Sequence, residues 1–340
     1  MSADNDAPIP DAPVPTNASP TSARSWRDVA GWIGPFVGLF LVLAIFGTLA
    51  HDKGFLSAVN FRTVATQTVI VGLGAVGMTF VIVSGGIDLS VGSVIALASV
   101  VTAVLLDGGS GVWTAAFAGV LVGGACGLVS GLLVTRLKIV PFIATLGMLG
   151  IARGLAKWLG NEQKVDAPES WLTGLMSKSP DPAWLVVSPG VWLMGGLALL
   201  MGLVLRNTVF GIHTFAIGSN EETARLCGVP VGRTKVWIYV LCGLFAGLAG
   251  VMQFGRLTVG DPTTALGKEL DIIAAVVIGG GSLSGGEGRI LGSIVGAFLM
   301  AFLANGCNLL QVPNYVQEIL IGVIIVLAVT LDQLRHRTAD

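Results

Sequence analysis

The chain has 340 residues, a formal net charge of −1, 53% hydrophobic against 11% charged residues, and glycine at 48 positions. A soluble domain carries about 25% charged residues. Here long apolar runs follow one another closely, so lipid is the main solvent and a free-standing soluble fold is excluded. The near-zero charge offers no footing for a nucleic-acid partner.

Residues 1–28 are expected to form a disordered cytoplasmic tail, because the first 25 are rich in Pro, Ala, Ser and Asp and cannot bury apolar surface. No apolar core follows a basic start within them, unlike a cleaved signal peptide. Arg24 and Arg27 precede the first apolar run. A spanning helix needs about 20 apolar residues, fewer when its ends snorkel. In chain order the candidates are Trp32–Ala50, Val64–Ser84, Val91–Leu106, Val112–Val134, Phe142–Trp158, Val191–Leu205, Val236–Phe254, Ile290–Leu310 and Val316–Leu331. The stretch Ile272–Gly281 is too short for a clean span and runs into a glycine-rich loop.

Charge decides how to count it. With a cytoplasmic N-terminus, including that stretch gives about ten spans and returns the C-terminus, a short tail at 335–340, to the cytoplasm. Arg136, Lys138, Arg206, Arg225, Arg233, Lys235, Arg289, Arg335 and Arg337 then all fall inside, as the positive-inside rule requires. Without it, Arg335 and Arg337 would lie outside. The expected fold is all-α, a polytopic membrane protein with a transmembrane domain over residues 29–334. The loop Leu159–Pro189 falls outside, and its lysines are offset by carboxylates. The loop Arg206–Arg233 is the largest internal one.

Cys126, Cys227, Cys242 and Cys307 lack metal-ligand spacing, and His51, His213 and His336 lie outside the apolar runs. They read as core-fillers and solvated residues, so no metal, cofactor or catalytic cluster is expected. An intramembrane hydrolase would need a buried Ser–His pair or two membrane aspartates, and only Asp88 is buried.

Two stretches repeat. VSGGIDLSVGSVIALASVVTAVL from Val83 and IGGGSLSGGEGRILGSIVGAFLMAFL from Ile278 each run from an apolar segment through a Gly-rich loop containing Leu-Ser into another apolar helix. Gly92-Ser93 matches Gly292-Ser293. Helices broken at matching places in two halves mark the working core of a transporter, since freed backbone is tolerated only against protein or water. Gly-rich membrane sequences also align easily, which is the plainer explanation.

The second loop spells LSGGE, which looks like an ATPase signature. An ATPase also needs GxxxxGK(S/T) to cradle phosphate. The only Gly-Lys pair, Gly267-Lys268, is followed by Glu269 and has Pro262 at the first glycine position. The repeat assigns LSGGE to the membrane scaffold, and the chain is not expected to hydrolyse ATP.

GGIDLSVGSVIAL (Gly85–Leu97) resembles the hallmark of ribose/xylose-type sugar permeases of ABC importers. The resemblance extends through IATLGMLGIARGLA (Ile143–Ala156), GSNEETARLCGVPVGRTKVWIYVLCGLFAGLAGV (Gly218–Val251) and ELDIIAAVVIGGGSLSGGEGRILGS (Glu269–Ser293). Branched-chain amino-acid permeases are near relatives, but their first loop looks more like GGINLAHG. The Pro-rich tail is outside the family pattern. The resemblance implies an inner-membrane homodimer of ten-helix subunits, a periplasmic sugar-binding protein and cytoplasmic ATP-binding cassette ATPase subunits as partners.

It also gives the internal loop a role. Ser219 and Glu222 have capping-box spacing, Glu221 suits the first turn, Arg225 the last, and Gly228 the C-terminal stop. A short helix over Asn220–Cys227, with small Ala224 at its middle, has the shape of a coupling helix that seats on an ATPase; an ordinary connector is the alternative.

For the path and its gating loops the candidates are Gly85, Gly86, Asp88, Ser90, Gly280, Gly281, Gln67, Arg153, Asn305 and Asn308. Asp88, a carboxylate within apolar sequence, is either functional or a cap for the next helix through the turn at Ser90. Arg153 is expected to snorkel to headgroups. Gln67, Asn305 and Asn308 either meet sugar hydroxyls or bond helix to helix. A proton-coupled carrier, which one buried acid would serve, is the competing transport mechanism.

Overall fold

A computed structural model describes residues 26–178, 180 and 182–337. The tail expected at 1–28 lies mostly outside these residues. Its last three belong to the first helix, and 335–337 belong to the last.

Thirteen α-helices follow one another: α1 (Trp26–Leu49), α2 (Ala58–Val83), α3 (Val91–Asp107), α4 (Val112–Thr135), α5 (Pro141–Leu159), α6 (Trp171–Leu175), α7 (Pro189–Asn207), α8 (Val209–Ser219), α9 (Glu221–Leu226), α10 (Val231–Leu257), α11 (Lys268–Ile278), α12 (Ile290–Leu309) and α13 (Asn314–Arg337). A two-stranded ribbon pairs β1 (Val165–Asp166) with β2 (Val259–Gly260) at the end of the bundle away from α9. Among the described residues, six helices (α2, α4, α5, α7, α10 and α12) are long and apolar enough to cross a membrane; α3, α8 and parts of α1 and α13 are shorter apolar helices. This is an all-α, multi-pass architecture. The stretch expected as a marginal tenth span is the 11-residue α11, about 16 Å long at 1.5 Å per residue and too short to cross alone.

The core is α2. It is apolar on every face, and a helix of that kind is buried. From Val64 to Val83, Gln67 alone escapes full burial. Around it stand α7, α8, α10, α11 and α12. Ser57 caps α2 by accepting the Asn60 amide at 3.2 Å, and α5 and α7 each start with proline at the first turn, where its missing N–H costs no hydrogen bond.

Glycine sets the close contact between α4 and α10. A Cβ at Gly243 would overlap the Gly123 carbonyl oxygen and lie 3.0 Å from the Gly127 Cα; one at Gly127 would overlap the Tyr239 carbonyl. In lipid, helices gain little from apolar burial against each other, so close backbone approach supplies the attraction.

Two helices break, and both break alike. After α2, Gly85 takes φ +76°; its amide bonds the Ile82 carbonyl at 2.9 Å and the Gly86 amide bonds Val81 at 2.9 Å. After α11, Gly280 takes φ +90°, with Gly280 N–H on Val277 and Gly281 N–H on Val276, both at 2.9 Å. This paired bonding is the glycine stop that satisfies the last carbonyls of a helix. The matching of VSGG to IGGG is therefore a matching of backbone geometry.

Overpacking the α4–α10 seam gives the first prediction. Gly243→Ala should destabilise the chain by about 1–3 kcal/mol, seen as a lower unfolding midpoint of detergent-purified protein by tryptophan fluorescence. Gly196→Ala on α7, where a Cβ meets nothing within 4 Å, should leave the midpoint unchanged.

Candidate functional site

The first broken segment doubles back. Val91 lies beside Gly74, nine residues before the end of α2, so residues 87–90 climb about 13 Å along α2 at its helical rise. Helix α3 therefore begins inside the bundle. Asp88 sits on this climb, only 2% exposed. Its Oδ1 accepts the Ser90 amide at 2.8 Å and the Ser90 hydroxyl at 2.6 Å. Ser90 is the N-cap residue of α3 but contributes no side-chain cap. Asp88 thus holds the entry to α3 from two residues upstream, and no cation pairs with it among the described residues. A Cβ at Gly86 would fall 2.8 Å from the Tyr239 hydroxyl, itself buried without a hydrogen-bond partner among the described residues.

The segment before α11 descends from the opposite direction. Arg153, half-buried on α5, donates from one guanidinium nitrogen to the carbonyl oxygens of Pro262 at 2.6 Å and Thr264 at 2.8 Å. This corrects the expected snorkelling. Loop carbonyls freed from regular structure lie within reach, and satisfying them keeps the guanidinium inside. Gln253 braces the same loop through Thr264 at 2.7 Å. A Cβ at Gly92 would overlap the Glu269 carboxylate and come 2.7 Å from the Ala265 carbonyl. The first turns of α3 and α11 therefore meet partway through the bundle, as in discontinuous helices.

The other polar candidates lie elsewhere. Asn305 is buried and accepts from Asn60 at 2.9 Å, tying α12 to α2. Asn308 accepts from Gln317 at 2.9 Å, tying α12 to α13. Gln67 is half-buried on α2. These three are not gathered with Asp88 or with the loop residues Gly280 and Gly281.

At the end of the bundle where α2 and α11 stop, α8 leads into α9. The sequence places the N-cap at Ser219, but α8 runs through Ser219, and Asn220 caps α9 instead, its Oδ1 accepting the Thr223 amide at 2.8 Å. Glu222 consequently forms no capping box with Ser219. The far end matches expectation: Gly228 at φ +83° bonds Arg225 at 3.1 Å and Val229 bonds Ala224 at 3.0 Å, the same glycine stop. Ala224 does not offer a seat to a partner. It is 4% exposed and packs on Ile217 of α8 and Val231 of α10, because α9 lies against α8. Leu226, 88% exposed, projects instead.

Glu221 ties α9 to the bundle, its carboxylate 2.5 Å from Lys235 and 3.0 Å from Arg225. The Lys235 hydrogen bond, with Arg225 nearby, holds the Glu221 carboxyl below its ordinary range. A cavity of about 750 Å³ opens beside it, lined by Lys138, Pro141, Arg225, Arg233 and Lys235 among others. This end of the molecule is basic. Sequence reasoning missed Leu226, Tyr239 and Lys235. Leu226, a large apolar residue in a polar loop segment, carried a signal; the others needed the third dimension.

The chain matches the family model described as branched-chain amino acid transport system / permease component over residues 60–329. It is 39% identical over 302 residues to the ribose import permease protein of Escherichia coli, covering 87% of this chain and 92% of that one. The ribose import permease of Bacillus subtilis is 39% identical over 307 residues, covering 88% and 92%. The L-arabinose transport system permease of Escherichia coli is 38% identical over 314 residues, covering 92% and 93%. No solved structure matches the chain.

Two predictions follow from this geometry. Asp88→Asn keeps an Oδ1 for Ser90 and should fold and insert normally, whereas Asp88→Leu orphans the Ser90 amide and hydroxyl, at a cost of about 1–3 kcal/mol each, and should sharply cut recovery of monodisperse protein by size exclusion. Because the native pKa of Glu221 is lowered, its tether stabilises above the ordinary carboxylate pKa and is lost as pH falls through the native value. A spin label on exposed Cys227 should therefore gain mobility in acid, and Glu221→Gln should raise mobility at neutral pH and flatten that dependence.

Proposed function

The chain belongs to the branched-chain amino acid transport system / permease component family, and on that premise we propose that it is the membrane-spanning subunit of an ATP-driven ABC importer for a small monosaccharide. The observation carrying this reading is near-full-length similarity to ribose and arabinose permeases. The sugar branch is favoured over amino acids by the same relatives and by the Asp88-Leu-Ser-Val-Gly turn. A neutral polyol needs donors and acceptors of hydroxyl size rather than fixed charge, and the spans offer hydroxyls and a few amides but almost no charge.

In this reading two copies form the channel. A periplasmic binding protein delivers the sugar, and ATPase subunits dock on the end that carries α9. The basic residues at that end (Lys138, Arg225, Arg233, Lys235) support its assignment to the cytoplasm, with both chain termini on the same side of an inner membrane. Helix α9 is the coupling element: capped at Asn220, stopped at Gly228 and pinned through Ala224 and Glu221, it is stiff enough to transmit a push that a loose loop would absorb. The chain supplies no ATPase site, since LSGGE here is part of a broken membrane helix.

Leu226→Glu should leave the permease inserted while abolishing co-purification of the ATPase and pentose uptake together. A charge at Ala224 would test folding instead, because it would be buried against Ile217 and Val231. Normal ATPase association and uptake by Leu226→Glu would make α9 a mere connector. Uptake of leucine but no pentose would move the chain to the amino-acid branch, and uptake that persists without ATPase yet collapses with a proton uncoupler would make it a secondary carrier.

A further inference from the structure

The two broken segments meet α8 at one point, and the point is made of backbone. The Gly286 amide of the second loop donates to the Val83 carbonyl at the end of α2, at 2.9 Å. Gly218, the penultimate residue of α8, lies against both: a Cβ on it would overlap the Val83 carbonyl oxygen and come 2.5 Å from the Gly286 nitrogen. A Cβ on Gly285 would lie 2.6 Å from the Gly218 carbonyl oxygen and 3.0 Å from the Gly85 Cα. Gly286 packs on the backbone of Ser219, with its Cβ position 3.2 Å from the Ser219 Cα. Gly85, Gly285 and Gly286 all hold positive φ, a region open to glycine at little cost.

What stands behind Gly218 is stiff. Helix α9 begins after a single linking residue, Asn220, and packs through Ala224 on Ile217 in the last turn of α8, with Val231 of α10 completing the cluster. On the other side Phe210 of α8 stacks near Phe80 of α2, ring centroids 5.8 Å apart. A displaced α9 must therefore carry the C-terminus of α8 with it, and that terminus has no side chain to yield before its backbone meets Val83 and Gly286.

We infer that Gly218 is a positioning residue for transport: through it, movement of the α8–α9 unit passes backbone to backbone into both broken segments at once. The inference rests on the importer reading above. Proximity alone does not establish coupling, so the test must read coupling itself.

The assembled importer, with its ATPase and binding protein, is placed in lipid vesicles, and sugar taken up per ATP hydrolysed is measured. Gly218→Ala should assemble and hydrolyse ATP but transport about tenfold less sugar per ATP or lower still, within the range of allosteric coupling factors. Gly174→Ala in the loop helix α6, with nothing within 4 Å of its Cβ, should keep the wild-type ratio. A purely structural role would reduce the amount of complex and leave the ratio intact, so an unchanged ratio in Gly218→Ala overturns the inference. A wild-type chain that recruits no ATPase overturns the importer reading itself.

If Gly218→Ala fails to assemble, distances in the chain with native Gly218 decide. Spin labels on Cys227 and Ser284→Cys should keep their separation through the nucleotide cycle, while Cys227 and Glu162→Cys, at opposite ends of the bundle, should change theirs. A change in the first, or constancy in the second, overturns the inference.

Discussion

A chain that leaves the helical path among lipid-facing helices must find partners for every amide and carbonyl it frees, because no water is there to take them. The rest of this molecule is arranged around that constraint. Both breaks use the same answer: a glycine at positive φ turns the chain so that two amides cap the last carbonyls of the preceding helix. What the first break still leaves open is closed from elsewhere, by Asp88 on the Ser90 amide and by Gly286 on Val83, and the irregular loop that enters α11 is held by Arg153 on Pro262 and Thr264. Two of the charged groups inside the bundle are thus stitched to irregular backbone. Asp88 and Arg153, which look in sequence like members of a path, serve the breaks.

The same requirement explains why the breaks lie where they do. A segment that turns back needs other backbone close enough to bond, and only small residues admit it. Gly74 beside Val91, Gly92 beside Ala265 and Glu269, and Gly279 against Gly292 are the places where that approach happens. Inserting a half-helix into a bundle is a packing problem, solved by removing side chains.

Features fixed by local chemistry were readable from sequence. The span Val91–Leu106 differs from α3 by one residue, and the repeat of glycine-rich loops is visible because a positive φ selects glycine in the text itself. Residues 209–219 read as loop because eleven residues with His213 and Thr214 lack the length of a span. Missing α8 moved the cap by one, since Ser219 and Asn220 are both good caps and only the preceding helix chooses between them. The orientation of Ala224 followed the same route, as the buried face of a six-residue helix is set by its neighbour. Long-range bonds such as Asn60 to Asn305, 245 positions apart, leave no local trace.

The glycine seam between α4 and α10 bears on how such a bundle can work. Side chains in contact slip past one another by changing rotamer, but main chain has no rotamers. With the backbone of Gly123 set against that of Gly243 and Gly127 against Tyr239, sliding these two helices would drive carbonyl oxygens into each other. The two helices are then locked to each other along their length, and whatever movement the subunit makes must carry them as one piece.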